Sequence, residues 1–305
     1  MRTFFCCLPV LLFCAAAVYA QPSGEIDFSI AQGDGQASYV LRYDFSQGEE
    51  VTYRVTSYDS IVVWDHKPRV LIRERAERVQ YRCDTILPEG YGMSVTLLSA
   101  VVRERLDTMP WIIREDHPFV GQPIRFLMAP DGERIRLRDT LLFPGSMPGA
   151  PFQPLLVPAL GGADTVSVGA GSVFERKMWL LDNVYPPVQW QGGVIRKILG
   201  AQDTLEHSTV VVELSESGQV WYTPPALPGR EKEDVVTHTR VNGGGRYWID
   251  LEEGYPVAGD YQLIGNITFT NTENDKERQG RHTITMEFRI DDGYEDLKDL
   301  FELEQ

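Results

Sequence analysis

The sequence is 305 residues long, 43% of its residues are hydrophobic, and its formal net charge at pH 7 is −15. The acidic charge argues against nucleic-acid binding, which favours a basic domain. The length allows one large β domain or two smaller ones. After Ala20, no apolar run is long enough to span a membrane as a helix.

The segment from Met1 to Ala20 has the pattern of a cleavable signal peptide. One positive charge, Arg2, precedes an apolar run from Phe4 to Val18, and Ala20 lies just before the predicted cleavage site. A retained membrane anchor is the alternative, but this run is shorter than the roughly 20 residues of a spanning helix. Cys14 suggests a lipid-anchored start, which the bulky residue before it disfavours. We therefore expect an exported protein that is periplasmic or extracellular.

Composition changes along the chain divide it into six segments. Cleavage of the signal peptide would leave Cys83 as the single cysteine, so stability must come from a hydrophobic core rather than from disulfides. We predict Cys83 to be a buried small hydrophobe. The segments are a signal peptide (1–20), a polar leader (21–38), an N-terminal β half (39–142), a Pro-rich crossover or lid (143–162), a C-terminal β half (163–292) and an acidic tail (293–305).

Strand signals dominate from residue 39 onward, because β-branched and aromatic residues alternate with polar ones between Gly, Pro, Asn and Asp. Pro130-Asp131-Gly132 predicts a hairpin turn. In Arg69–Cys83 the apolar alternation changes phase midway, as a β-bulge would produce, and helix is the alternative there. The predicted strands are Val51–Thr56, Arg69–Cys83, Met93–Leu106, Ile124–Met128, Ile135–Leu137, Val173–Leu181, Val188–Leu199, Thr209–Leu214, Gln219–Tyr222, Val235–Val241, Arg246–Leu251, Tyr261–Phe269 and Ile284–Ile290.

These strands predict an all-β fold with one or more large curved antiparallel sheets, of the half-barrel or β-sandwich type. A short acidic helix at Tyr294–Glu304 is the exception that the pattern allows. The segment from Phe143 to Gly162 interrupts the strands, because its five prolines exclude a central strand. Interdomain linkers are usually polar, whereas this segment is apolar, which favours a packed crossover or a lid between the two halves.

Two segments resemble a group of uncharacterised exported bacterial β-rich proteins. Tyr39 to Tyr53 contains a strand, Phe45-x-x-Gly48 and an aromatic strand, and Gly245 to Val257 contains a strand, an acidic turn and a strand. Those proteins are similar in organisation to the periplasmic lipoprotein-carrier superfamily. The resemblance implies a strongly curved antiparallel sheet that forms a half-barrel around an apolar cavity. It carries over no functional residue.

No motif for catalysis, metal binding or a cofactor is present. Asp65-His66 and Asp116-His117 are adjacent pairs, but neighbouring residues of a strand point to opposite faces. The sequence lacks a G-x-S-x-G elbow, an H-E-x-x-H motif and paired cysteines. We therefore predict a protein that is not an enzyme, with no catalytic residue, no metal and no cofactor.

Arginines cluster with glutamates in several predicted strands. Anion binding is one reading, but cross-strand ion pairs on a water-exposed face explain the pattern without a ligand. The arginines are Arg73, Arg75, Arg78, Arg103, Arg105, Arg125, Arg134, Arg136 and Arg138.

Two functional hypotheses remain. In the first, the curved sheet binds an apolar ligand such as a lipid or an acyl chain, with aromatic and aliphatic side chains lining the cavity. In the second, the protein is a structural or protein-interaction component of the cell envelope, and its partner is another envelope protein. The ligand-binding residues predicted by the first hypothesis are Phe152, Leu155, Leu156, Trp179, Trp190 and Trp248.

Overall fold

The computed structural model describes residues 37–115, 120–137, 156–162, 165–169, 171–175, 189–222, 235–271 and 274–291, with Gly293 and Leu297. These ranges contain strands and no helix. The strands are β1 (Ser38–Val40), β2 (Glu50–Trp64), β3 (Arg69–Leu87), β4 (Gly90–Leu106), β5 (Ile112–Arg114), β6 (Pro123–Met128), β7 (Arg134–Leu137), β8 (Thr165–Ser167), β9 (Gly171–Glu175), β10 (Gln189–Thr204), β11 (His207–Tyr222), β12 (Val235–Asp250), β13 (Pro256–Asn271) and β14 (Lys276–Ile290).

One antiparallel sheet of twelve strands dominates the structure, in the order β7-β6-β4-β3-β2-β14-β13-β12-β11-β10-β9, with β5 added to β4. The pairing of β2 with β14 joins the strands of both predicted halves in this sheet. β1 and β8 form a separate two-stranded sheet. The predicted all-β class and large antiparallel sheet are therefore confirmed. The predicted helix at Tyr294–Glu304 falls almost entirely outside the described residues.

Four predicted strands are in fact two. Thr209–Leu214 and Gln219–Tyr222 belong to β11, and Val235–Val241 and Arg246–Leu251 belong to β12. The sequence suggested breaks because serine and glycine occupy the middle of β11, and asparagine and glycine occupy the middle of β12. In β12 the glycines are required by close approach: a Cβ on Gly243 would lie 2.7 Å from the Gln262 carbonyl oxygen of β13. The glycine run therefore lets the strands approach each other and does not end β12.

The run from Arg69 to Cys83 is a strand, as predicted. Its pairing with β2 continues without a register shift from Glu50–Arg82 to Val63–Arg69. A bulge does occur beside Arg78 and Val79, but β4 supplies the extra residue there, Leu98. The apparent change of phase in β3 therefore has another cause: Arg73, Arg75 and Glu77 occupy the same face as the apolar side chains that follow them.

The sheet curves strongly. β6 and β10 are eight positions apart in the strand order, which corresponds to about 38 Å in a flat sheet at about 4.8 Å per strand. Leu160 nevertheless contacts both ends. Its N–H donates to the Asp131 carbonyl, in the turn after β6, at 2.7 Å, and its carbonyl accepts from the Arg196 guanidinium of β10. Since one residue and one arginine side chain cannot cross the width of a flat sheet, the two sides of the sheet must bend around the segment that contains Leu160.

Residues 37–45 and 156–162 form an inner layer on the concave face. Leu41, Tyr43 and Phe45 are buried and alternate with exposed residues. The Tyr43 hydroxyl donates to the Pro158 carbonyl at 2.7 Å, which ties the two segments of the layer together. The inner layer covers the half of the concave face that begins at Val51 of β2, and we call this the lower half. Buried apolar and aromatic side chains fill it and form the main core.

Candidate ligand-binding site

The upper half of the concave face, from Ser57 to Val63 of β2 and across the paired strands, has apolar side chains that are only partly buried. Strand pairing places Leu263 of β13 directly opposite Ile284 of β14, and both are partly exposed. We call the partly exposed apolar side chains of this region the upper wall: Ile61, Val63, Leu71, Leu106, Leu263, Ile267, Phe269 and Ile284. In contrast, the core residues of the lower half are buried.

Aromatic rings lie over glycines on the concave face. A Cβ on Gly280 would lie 2.9 Å from the Phe269 ring, and a Cβ on Gly245 would lie 2.9 Å from the Tyr261 ring. Glycine therefore allows each ring to lie against the backbone of the neighbouring strand. This arrangement keeps the rings close to the sheet.

A ladder of ionisable side chains crosses the concave face beside the upper wall. The Arg75 guanidinium donates to the Asp59 carboxylate, and His282 Nε2 lies 3.0 Å from the other Asp59 oxygen. Glu77 lies next along β3, with its Oε1 3.7 Å from Arg75 Nη1. Asp59, Arg75 and Glu77 are at most 4% exposed, and His282 is 12% exposed. Arg73 and Glu104 form a further ion pair at 3.4 Å on the same face.

The two carboxylates of the ladder have opposite pKa shifts. Burial raises the pKa of Glu77 to about 7, the nearby Asp59 charge adds to this effect, and Arg75 opposes it. Burial also acts to raise the pKa of Asp59, but hydrogen bonds from His282 and Arg75 outweigh it and lower that pKa. Asp59 is therefore the ionised partner of Arg75, whereas Glu77 titrates near neutrality.

A second polar feature lies across the concave face, on β11 and β13. The Tyr261 hydroxyl donates to the Glu216 carboxylate, and both residues are buried. They border a small recess between the inner layer and the sheet. Other residues that line this recess are Pro158, Val194, Leu214 and Tyr247.

The structure separates the predicted ligand-binding residues that it describes. Leu156 is fully buried in the inner layer. Trp248 is buried on the convex face with Val211 and Ala258, and its indole N–H donates to the Gln202 side chain at 3.2 Å. Leu156 and Trp248 therefore lie on opposite faces of the sheet. Trp190 belongs to β10, but its side chain lies outside the described part of the chain, as do Phe152, Leu155 and Trp179 entirely.

The interpretation of the arginine clusters requires a correction. Cross-strand ion pairs do form, as expected, but they do not all lie on a water-exposed face. Arg103 pairs with Glu74 on the convex face, whereas Arg75 is 4% exposed on the concave face. The pattern of charges alone could not distinguish these faces, because pairing with neighbouring strands determines which charges are buried.

Sequence reasoning missed the ladder because its partners are far apart in the chain. Asp59 and His282 are separated by 223 residues. The signal that could have indicated it is the change of phase in β3, where charged residues continue the face of the apolar ones. A second unexpected pair is His207 and Asp250, whose Nδ1 and Oδ2 atoms are 2.6 Å apart. Asp250 also accepts hydrogen bonds from the N–H groups of Glu252 and Glu253, so this pair stabilises a turn.

No family model matches the sequence, and no curated protein matches it. Among solved structures, the chain is similar to the one described as "Lipid-protein interactions in lipovitellin", with a TM-score of 0.45 and 8% sequence identity. The match covers 81% of this chain and 25% of the lipovitellin chain, so this chain spans about a quarter of that protein's length. A likeness this low supports no conclusion about function. Within the described residues, no helix is long and apolar enough to cross a membrane.

Proposed function

We propose that the protein is an exported, non-enzymatic protein that binds an apolar ligand, a lipid or an acyl chain, against the upper wall of its curved sheet. The observation that carries this proposal is the upper wall itself: eight apolar side chains on the same concave face are only partly buried. Apolar surface that a concave face leaves partly exposed is typical of a binding site.

The curvature of the sheet supports the proposal, because a concave wall can surround an alkyl chain on several sides. Burial of each CH₂ group contributes about 0.8 kcal/mol, so a chain of twelve carbons contributes up to about 10 kcal/mol before the costs of association. Micromolar affinity requires about 8 kcal/mol. Association costs at least about 4 kcal/mol, so at most about 6 kcal/mol remains. Contact with the upper wall alone therefore supports binding no tighter than tens of micromolar.

Export is the part of the proposal that the segment from Met1 to Ala20 supports through its signal-peptide pattern. Edman sequencing of the protein secreted from its host tests this part. An N-terminus at Gln21 is expected, and an intact Met1 on the exported protein would contradict it.

A matched pair of double variants tests ligand binding. Leu263→Asp with Ile284→Asp places two carboxylates on the upper wall, and Gln262→Asp with Thr285→Asp places the same charges at the opposed, exposed positions of the convex face. We expect displacement of a fluorescent apolar probe by dodecanol to weaken at least tenfold in the first variant and less than twofold in the second.

The thermal unfolding midpoint of both variants shows whether each one folds. Wild-type protein that binds neither the probe nor dodecanol would refute the proposal and favour the envelope-interaction hypothesis. Equal effects of the two double variants would show that binding occurs elsewhere than on the upper wall.

A further inference from the structure

Buried side-chain atoms of the concave face without a hydrogen-bond partner in the described part of the chain include both oxygens of the Glu77 carboxylate and the Ser57 hydroxyl. Glu77 is 1% exposed and Ser57 is 8% exposed. In folded proteins nearly all such groups are paired, so each exception requires a specific explanation.

The two groups are close neighbours. Ser57 of β2 pairs with Arg75 of β3, and Glu77 pairs with Val55, so Ser57 and Glu77 are diagonal neighbours on the same face of adjacent strands. They lie at the boundary of the two halves of the concave face. The next pair above Ser57 and Met286 is Asp59 with Ile284, and Ile284 belongs to the upper wall.

The cations around this position already have carboxylate partners. Arg75 and His282 both bind Asp59, and Arg73 binds Glu104. The nitrogen of Arg75 nearest to Glu77 is 3.7 Å away, which is an ion-pair distance but longer than a hydrogen bond. The group that this position lacks is therefore a hydrogen-bond donor for Glu77, and an added donor with a positive charge would compensate the buried carboxylate.

A primary ammonium group has the required chemistry, because its three N–H bonds can donate to the Glu77 carboxylate and to the Ser57 oxygen. A trimethylammonium group has the same charge and no N–H donor. A carboxylate head would be repelled by Glu77. An alcohol can donate one hydrogen bond but supplies no charge.

We propose that the primary ammonium head of a single-chain amphiphile binds between Glu77 and Ser57, while its alkyl chain lies along the upper wall. This inference rests on the proposed function and specifies its ligand class and orientation: the head is inside the curved sheet, at the boundary of the inner layer, and the tail points toward the upper end of the strands.

The charge of Glu77 makes this preference depend on pH. The groups that face Glu77 are Arg75 on its own strand, Asp59 on β2 and, further up the face, His282 on β14, while the β4 residue opposite it is uncharged Ala100. The pKa of Glu77 is about 7, so the carboxylate is ionised at pH 8.5 and protonated at pH 5.5. An alkylammonium remains charged at both values, and its preference over trimethylammonium should be present at pH 8.5 and reduced at pH 5.5.

A series of dodecyl ligands tests the inference on the wild-type protein. Dodecylamine, dodecyltrimethylammonium, dodecanol and dodecanoate, each below its micelle concentration, compete with a fluorescent apolar probe. We expect dodecylamine to bind at least tenfold more tightly than dodecyltrimethylammonium at pH 8.5 and less than about threefold more tightly at pH 5.5. Equal affinities for all four ligands would overturn the head site and leave the proposed function intact. Absence of binding by all four would overturn the proposed function itself.

Two variants locate the preference. Glu77→Gln keeps the size of the side chain and removes its charge, and it should reduce the preference for dodecylamine to less than about threefold with little change for dodecanol. Glu287→Gln is the matched control, because Glu287 lies on the convex face of β14, and it should keep the full preference. A folded Glu77→Gln protein that still prefers dodecylamine tenfold would contradict the assignment. The ligand series needs no variant, so it decides the question even if Glu77→Gln does not fold.

Discussion

Replacing Glu77 by glutamine removes one ionisable group from the core without changing its size, and its effect on stability should depend on pH. The pKa of Glu77 is raised from 4.5 to about 7, mainly by burial. The folded protein therefore holds this proton more tightly than the unfolded chain. The stability that the protonated Glu77 side chain contributes to the folded state is fully present below pH 4.5, and it is lost as the pH rises through about 7.

The magnitude follows from the size of the shift. A difference of about 2.5 pKa units corresponds to about 3 kcal/mol at 1.36 kcal/mol per unit. The substituted glutamine cannot ionise, so between pH 4.5 and pH 8 the wild type should lose about 3 kcal/mol of unfolding free energy relative to the Glu77→Gln variant. The lowered pKa of Asp59 acts below pH 4 and is common to both proteins, so it cancels in the comparison.

Urea unfolding of both proteins at several pH values, followed by tryptophan fluorescence, measures this difference. Glu287→Gln, on the convex face, is the control and should show a smaller change, because the Glu287 side chain is exposed, although partial burial and the Asp260 charge also raise its pKa. A difference in unfolding free energy between wild type and Glu77→Gln that is the same at pH 4.5 and pH 8 would refute the reasoning. It would mean that Glu77 is ionised, or protonated, throughout this range.

Further perturbations test the architecture. Arg75→Met leaves the buried Asp59 carboxylate without its arginine and should cost about 3–5 kcal/mol of unfolding free energy. Arg103→Met removes a partly exposed ion pair on the convex face and should cost about 1 kcal/mol or less. Equal costs of the two variants in urea unfolding would contradict the assignment of faces. Gly245→Ala places a Cβ 2.9 Å from the Tyr261 ring and should lower the unfolding midpoint by several degrees, while Gly171→Ala, whose Cβ would meet nothing closer than 3.8 Å, should leave it nearly unchanged. Cys83 is fully buried, and burial is the main cause of its raised thiol pKa. A thiol reagent should therefore label Cys83 only after denaturation. Rapid labelling of the folded protein would show that the lower half opens.

Local patterns were sufficient for the class of structure. β-branched and aromatic residues alternate with polar ones along most of the chain, and this period of two can be satisfied only by strands with one buried face. The hairpin at Pro130-Asp131-Gly132 follows in the same way, because Gly132 has the positive φ of 84° that the turn requires. Cys83 is buried, as its residue type suggests. Each of these features depends on residues that are close together in the sequence.

Local patterns were misleading where a residue's role depends on its contacts with a neighbouring strand. The Gly243–Gly245 run suggested a break in β12, yet its missing Cβ atoms accommodate the backbone of β13 and the Tyr261 ring. The charges of β3 suggested a water-exposed face, yet pairing with β2 buries Arg75 against Asp59. Neither outcome can be derived from the strand alone, because the contacting groups come from elsewhere in the chain.

By itself, the sequence determined that this chain is acidic and rich in strand signals, and the pattern of its first twenty residues predicted export. Only the tertiary structure decided that β2 joins β14, that the sheet bends until Leu160 contacts both Asp131 and Arg196, and that Asp59 meets His282 across 223 residues. The physical reason is that side-chain periodicity specifies which face of a strand is buried, but not which strand lies beside it. The upper wall, the ladder and the ligand site that we propose all depend on the order of the strands in the sheet.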